Sequence, residues 1–177
     1  MTTEELIAKY RPAEVQHPYQ CTALAASFIA SPYSLNGPTS SDIYNRRKNK
    51  RRAGMPLTEA LDLLQEDKLI KSYRQVSTLD ELIEEVSSNP AILTLPMYDK
   101  MTDTFWKSPI HAHLPDEKVP FQLAHAVVFI HTNDNEFVMR NSWKNKTKNT
   151  VECHLMFPHA DFKYILEAYS VQYFTSE

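Results

Sequence analysis

Three residues far apart in the chain have the types that thiol chemistry needs: Cys21, His125 and Asn141. A cysteine nucleophile must be held as a thiolate, beside a base that takes the proton and a third group that orients the base. Cys21 opens the run CTALAASFIA after the polar, proline-bearing stretch VQHPYQ, which reads as a loop entering a helix. At a helix start the unpaired N–H groups and the helix dipole favour an anion. His125 opens the apolar run HAVVFI, where an imidazole is a poor core filler, and Asn141 lies 16 residues further on, across a turn. If those segments pair as strands, the two side chains become neighbours. Each residue taken alone has a plainer reading: an inert buried thiol, a core histidine, a hairpin edge.

The elements around them can be read from period and punctuation. CTALAASFIA reads as a helix stopped by Ser31-Pro32, and residues 33 to 56 as a long loop rich in turn residues. PLTEALDLLQED spaces Leu57, Ala60, Leu61 and Leu64 on one helical face, with Pro56 near its first turn. In STLDELIEEVSS, Thr78 and Glu81 have capping-box spacing, and Leu79, Leu82, Ile83 and Val86 make an apolar stripe. PAILTLPMY reads as a buried strand, and residues 99 to 123 as a second long loop. AHAVVFIHTNDNEFVMRNSW reads as a β-hairpin turning at Asn133-Asp134-Asn135, with further strands in TVECHLMF and EAYSVQYF. Helices first and antiparallel strands later predict an α+β fold, one half packed on the other with a cleft between.

Composition narrows the function classes. With 177 residues, 42% hydrophobic and 23% charged, the chain suits a single domain over 1–177 with a real core. The net charge of −3 gives no global drive towards nucleic acid or membrane, and no apolar run is long enough to span a bilayer. Two cysteines make no disulfide framework, and the N-terminus lacks the order of a secretory signal. The expected location is the cytoplasm, or a host cell reached without a cleaved signal peptide. Only two glycines are present, so turns with positive φ are expected at Asn and Asp.

Other candidates carry less. His111 and His113 form an H-x-H pair without a third ligand at convincing spacing, so no metal is expected, and no cofactor. Cys153 reads as strand or core filling. RRKNKRR, Arg46 to Arg52, holds six positive charges, so everything outside it sums to −9 against −3 for the whole chain. Its plain reading is an exposed loop loosened by its own repulsion; sharper ones are a dock for an acidic partner, a nuclear-import signal or a contact with nucleic acid. Without interleaved aromatics it does not read as a nucleic-acid binder.

LAHAVVFIHTNDNEFVMRNSW resembles the His-to-Asn segment of the papain-like cysteine peptidases, in which HAV, a strand, a turn and a second strand lead to NSW. CTALAASF is similar to the helix that carries the family's nucleophile. SPYSL followed by AGMPLTEALDLLQEDKL, and TLDELIEEVSSNPAILTLPMYDKM, are similar to the segments that come next in compact bacterial members. The resemblance implies a papain-like fold, a helical half holding Cys21 against a sheet half holding His125 and Asn141. It implies Cys21 as nucleophile, His125 as base, Asn141 as its orienter and Trp143 as a shield over their hydrogen bond. It also implies hydrolysis of a protein or peptide substrate by a monomer.

Departures fall around the site. The family places an oxyanion-hole glutamine six residues before the cysteine, where this chain has Val15; Gln16 takes that role if the loop is one residue shorter. Thr22 stands where a tryptophan usually follows the cysteine, Lys144 replaces the glycine after NSW, and no Gly-Gly pair is present to bind extended peptide. Two alternatives therefore stay open: a papain-fold transglutaminase or deamidase, and a catalytically impaired binding module.

Overall fold

The computed structural model describes residues 5–6, 8–10, 19–33, 36–97, 123–140, 144–145, 150–151 and 155–175. Helix α1, Cys21–Ala30, is followed by a single 3-10 turn at Ser31–Tyr33. Every residue of α1 from Thr22 to Ala30 is buried, and only Cys21, at its head, is half-buried. A helix apolar on all sides belongs in the interior. Here α1 is wedged between α2 (Ser40–Asn45), α3 (Leu57–Glu66) and strand β3 (Leu123–Thr132). Ala23, Ala25, Ala26 and Ala30 keep it slim enough to pack on all three.

Helix α2 corrects the expectation of an unbroken loop from 33 to 56. Thr39 and Asp42 form a full capping box: the Asp42 N–H donates to Thr39 Oγ1 at 3.2 Å, and the Thr39 N–H donates to Asp42 Oδ2 at 2.9 Å. Ile43 then supplies a fully buried anchor. Two satisfied backbone donors and one buried side chain stabilise a helix of six residues in a segment otherwise rich in turn formers.

Helix α3 buries Leu57, Ala60, Leu61 and Leu64, the stripe that the spacing predicts. It ends in a Schellman motif, with Leu69 N–H donating to the Leu64 carbonyl at 2.9 Å and Lys68 N–H to the Gln65 carbonyl at 3.0 Å. Lys68 takes φ 57° there, and Tyr19 takes φ 64° just ahead of α1. Among the described residues these two, not Asn or Asp, adopt positive φ outside glycine.

Strand β1 (Ser72–Gln75) leads into α4 (Leu79–Val86) and then β2 (Ala91–Met97). Thr78 caps α4 by accepting from the Glu81 N–H at 3.2 Å, while the Glu81 carboxylate reaches past Thr78 to the Ser77 N–H at 3.0 Å. After β3 come β4 (Glu136–Arg140), the short pair β5 (Lys144–Asn145) and β6 (Thr150–Val151), β7 (Leu155–Pro158), a 3-10 segment His159–Tyr164, and β8 (Glu167–Gln172). The β3–β4 turn falls at Asn133, whose side-chain carbonyl accepts from the N–H groups of Asn135 and Glu136.

The main sheet has the order β1-β8-β2-β3-β4-β7, with antiparallel neighbours throughout. Its two faces cover two apolar clusters. Ile92, Ala126 and Val128 meet the helices α1 and α3 on one side. On the other, Leu93, Val127 and Phe129 meet α4, with the Phe129 ring stacked on that of Phe137 and tilted against that of Phe157. Adjacent residues of β2 and β3 divide between the two clusters, as the period of two requires. The architecture is α+β, helices against an antiparallel sheet, and among the described residues no helix is long and apolar enough to cross a membrane.

Candidate functional site

The antiparallel register brings one end of the sheet under the head of α1. Thr94 of β2 lies opposite Ala126 of β3 and Glu167 of β8, and Leu95 lies opposite His125. Above that end, Tyr19 and the strip Arg52–Leu57 complete a cleft of about 650 Å³. Cys21 and His125 both line it, with Thr22, Thr94, Ala124 and Glu167. His125 is fully buried within the protein wall and Cys21 is half-buried at the helix head.

The head of α1 is set up differently from those of α2 and α4. Thr39 and Thr78 cap their helices through side-chain oxygens, whereas Gln20 makes no side-chain cap to α1. First-turn N–H groups that are left uncapped keep their capacity to stabilise negative charge. Tyr19 lies in the left-handed region two residues before Cys21 and is largely exposed on the cleft. A non-glycine residue held there costs about 1–3 kcal/mol, the kind of strain that folds concentrate near working sites.

The strip from Arg52 to Leu57 is held in place by the basic loop, in which three of the six cationic side chains, Arg46, Arg47 and Lys50, are engaged within the protein. Arg46 pairs with Asp67 through two hydrogen bonds, at 2.6 and 3.2 Å. The Arg47 guanidinium stacks 3.9 Å from the Tyr44 ring and donates to the carbonyls of Tyr44, Lys50 and Arg52. The Tyr44 hydroxyl donates to the Ala53 carbonyl at 2.7 Å, the Lys48 N–H donates to the Glu59 carboxylate, and the Lys50 ammonium donates to the Asn45 carbonyl. An arginine fork that collects several carbonyls orders a loop that composition alone reads as loose.

Of the residues that the sequence singles out, the structure places Cys21 and His125 together. Gln16, Asn141, Trp143, Cys153, His111 and His113 lie outside the described residues. The described ladder runs to Arg140, opposite Val128 and three positions along β3 from His125. His159 has a structural setting instead: its Nε2 is 2.9 Å from Thr132 Oγ1 and its ring lies 4.5 Å from that of Phe137. A second cavity, of about 590 Å³, lies at the other end of the sheet between Tyr10, Asn89, His131 and Phe174. Among the described residues no group of three His, Cys, Asp or Glu side chains could hold a metal.

Residues that the sequence reading passed over complete the site. Gly54 lines the cleft, and a Cβ built on it would meet nothing within 4 Å. Met55, Thr94 and Glu167 line it too; the Glu167 carboxylate accepts from the Tyr169 hydroxyl at 3.3 Å. The one available signal was Gly54, half of a glycine count of two.

Several solved structures with this architecture are of cysteine proteases. The bromelain protease from Ananas comosus, in complex with the E64 inhibitor, superposes with a TM-score of 0.68 at 13% identity, over 94% of this chain and 95% of that one. The fold is papain-like. The Carica candamarcensis cysteine protease CMS1MS2, in complex with E-64, gives a TM-score of 0.69 at 10% identity over 95% of both chains. Xylellain, a cysteine protease from Xylella fastidiosa, gives 0.62 at 15% identity over 99% of this chain and 91% of its own. No family model matches the sequence, and no curated protein matches it either. In this papain-like fold the cleft that holds Cys21 and His125 runs between helices and sheet, where the resemblance of the sequence put it.

Proposed function

We propose that the chain is a thiol peptidase that hydrolyses peptide bonds through Cys21, His125 and Asn141. The observation behind this reading is the meeting of Cys21 and His125 in one cleft of a papain-like fold. The Cys21 sulfur, as thiolate, bonds to the carbonyl carbon of the scissile peptide, and the carbonyl oxygen takes the negative charge. The Cys21 backbone N–H and the Gln16 side-chain amide hold that oxyanion. As the intermediate collapses the C–N bond breaks, and the His125 imidazolium gives its proton to the leaving amine. Water, losing a proton to His125, then attacks the thioester, and the proton passes to sulfur as the acid leaves. Asn141 keeps the imidazole oriented and Trp143 keeps water from the hydrogen bond between them. The scheme requires neither metal nor cofactor.

The test uses the inhibitor present in the two plant protease structures, with a fluorogenic peptide library as substrate. The reading expects one E-64 adduct, located on Cys21 by peptide mass spectrometry, and loss of peptide hydrolysis in step with it. A chain that takes no adduct and cuts no peptide contradicts it. A chain that takes the adduct but cuts nothing keeps the nucleophile and changes the reaction. Release of ammonia from a glutamine peptide, with or without an added amine, then identifies deamidation or transglutamination.

A further inference from the structure

The peptidase reading leaves one part of the cleft without a task, the cation at its rim. Arg52 lines the same cleft as Cys21 and His125, and its side chain is exposed. Of the six cations between positions 46 and 52, Arg46 is neutralised by Asp67 and Glu66, Arg47 lies on Tyr44, and Lys50 donates to the Asn45 carbonyl. Lys48, Arg51 and Arg52 form no ion pair with any carboxylate among the described residues. Their backbone is pinned: Arg51 and Arg52 donate their N–H groups to Asn49, and the Arg52 carbonyl accepts from Arg47. The loop thus spends half of its charge on holding its own shape and leaves the rest exposed, Arg52 at the cleft itself.

We infer that this cleft selects peptides with an acidic side chain on the α3 side of the scissile bond, paired with Arg52 and attracted by Arg51 and Lys48. The inference rests on the peptidase reading and adds the chemical class of substrate. Its sign and its place both follow from the lining. Among the described residues that line the cleft the one carboxylate, Glu167, sits on the sheet wall opposite Thr94, where it would repel an acid. Of the described walls, the strip Arg52–Leu57 is therefore the one that accommodates an acidic group. Three cations within a few residues also give a field that reaches about 8 Å at physiological salt, against a chain that is otherwise acidic.

The test is direct binding to the Cys21→Ala protein, which holds peptide without cutting it. Fluorescein-labelled alanine-rich octapeptides carry a single Glu, or a single Gln, walked through each position, and affinity is read by anisotropy at 50 and 200 mM salt. An exposed pair is worth up to about fivefold. Glu is expected to bind about three- to fivefold tighter than Gln at one or two adjacent positions, with the advantage shrinking at 200 mM. Arg52→Glu should reverse that preference and Arg52→Gln should abolish it, while Glu167→Gln should leave its position unchanged. Equal affinities for Glu and Gln at every position, or a preference that survives Arg52→Glu, overturns the inference. Alkylation of Cys21 in the wild-type chain, run alongside, separates the two levels. Rapid labelling without acidic preference removes the inference and leaves the peptidase reading standing. An unreactive Cys21 in a chain that cuts no peptide removes both.

Discussion

Cys21, the first residue of α1, and His125, the third residue of β3, line one cleft although 104 positions separate them in the chain. The relationship is made by two independent pieces of packing. A helix buried on every side sets where its first residue emerges. The antiparallel register of β2 and β3 sets where position 125 falls at the sheet end.

Gly54 separates the demands of the cleft from those of folding. The space that a Cβ would take is open, so Gly54→Ala and Gly54→Leu should both fold with stability within about 0.5 kcal/mol of wild type. Thermal unfolding checks this. A leucine at this lining position takes up open space at the cleft and should lower kcat/KM for peptide hydrolysis about tenfold or more by displacing the substrate. A leucine variant with undiminished turnover would show that substrate does not pass this wall.

At the end of α3, Lys68 occupies the left-handed position of a Schellman motif that glycine favours. Removing its Cβ relieves strain of about 1–2 kcal/mol, set against an extra backbone-entropy cost for glycine of about 0.5–1 kcal/mol. Lys68→Gly should therefore stabilise the chain, by up to about 1 kcal/mol, without touching activity. A shift of the urea midpoint to higher concentration at constant slope is the expected reading. A lower midpoint would mean that the lysine side chain contributes more than its backbone costs.

His159 gives a pH dependence whose sign can be worked out. Desolvation by burial pushes its pKa below the ordinary 6.5, partly opposed by the carboxylates of Glu136 and Asp134. Thr132 and Phe137 are its other neighbours. Between the lowered value and about 6.5 the unfolded chain binds more protons at this residue than the folded one. The contribution of His159 to stability is therefore retained above that window and falls as the solution is acidified through it. Replacing His159 with Gln should flatten the decline in unfolding free energy between pH 7 and pH 5, measured by urea titration at steps of pH. Parallel curves for the two proteins would contradict this setting for the imidazole.

The parts of this fold that could be read from sequence are those in which a short-range rule coincides with burial. The stripe of α3, the cap of α4 and the turn at Asn133 each depend on residues within a few positions of one another. Helix α2 escaped because its capping box, Thr39 and Asp42, lies among turn residues and leads into a basic run. Strand β1 escaped because SYRQ is a four-residue strand whose one strand partner among the described residues is β8, almost a hundred residues on. The meeting of Cys21 and His125 in one cleft was legible because a cysteine at a helix start and a histidine at a strand start stand out against their neighbours. Arg52, Thr94 and Glu167 were not, because a cleft wall is assembled from distant segments and carries no local pattern.

The central claim is that Cys21 is a nucleophile activated by His125, and the rate of its alkylation tests this most directly. The protein is treated with iodoacetamide at a series of pH values, and Cys21 and Cys153 are followed separately by peptide mass spectrometry, in wild type and in His125→Gln. Circular dichroism confirms that the variant is folded. The expected result is that Cys21 labels about tenfold or more faster than Cys153 at pH 6, and that the substitution abolishes the excess. Equal rates for the two cysteines, or a Cys21 rate that does not respond to the loss of His125, would contradict it.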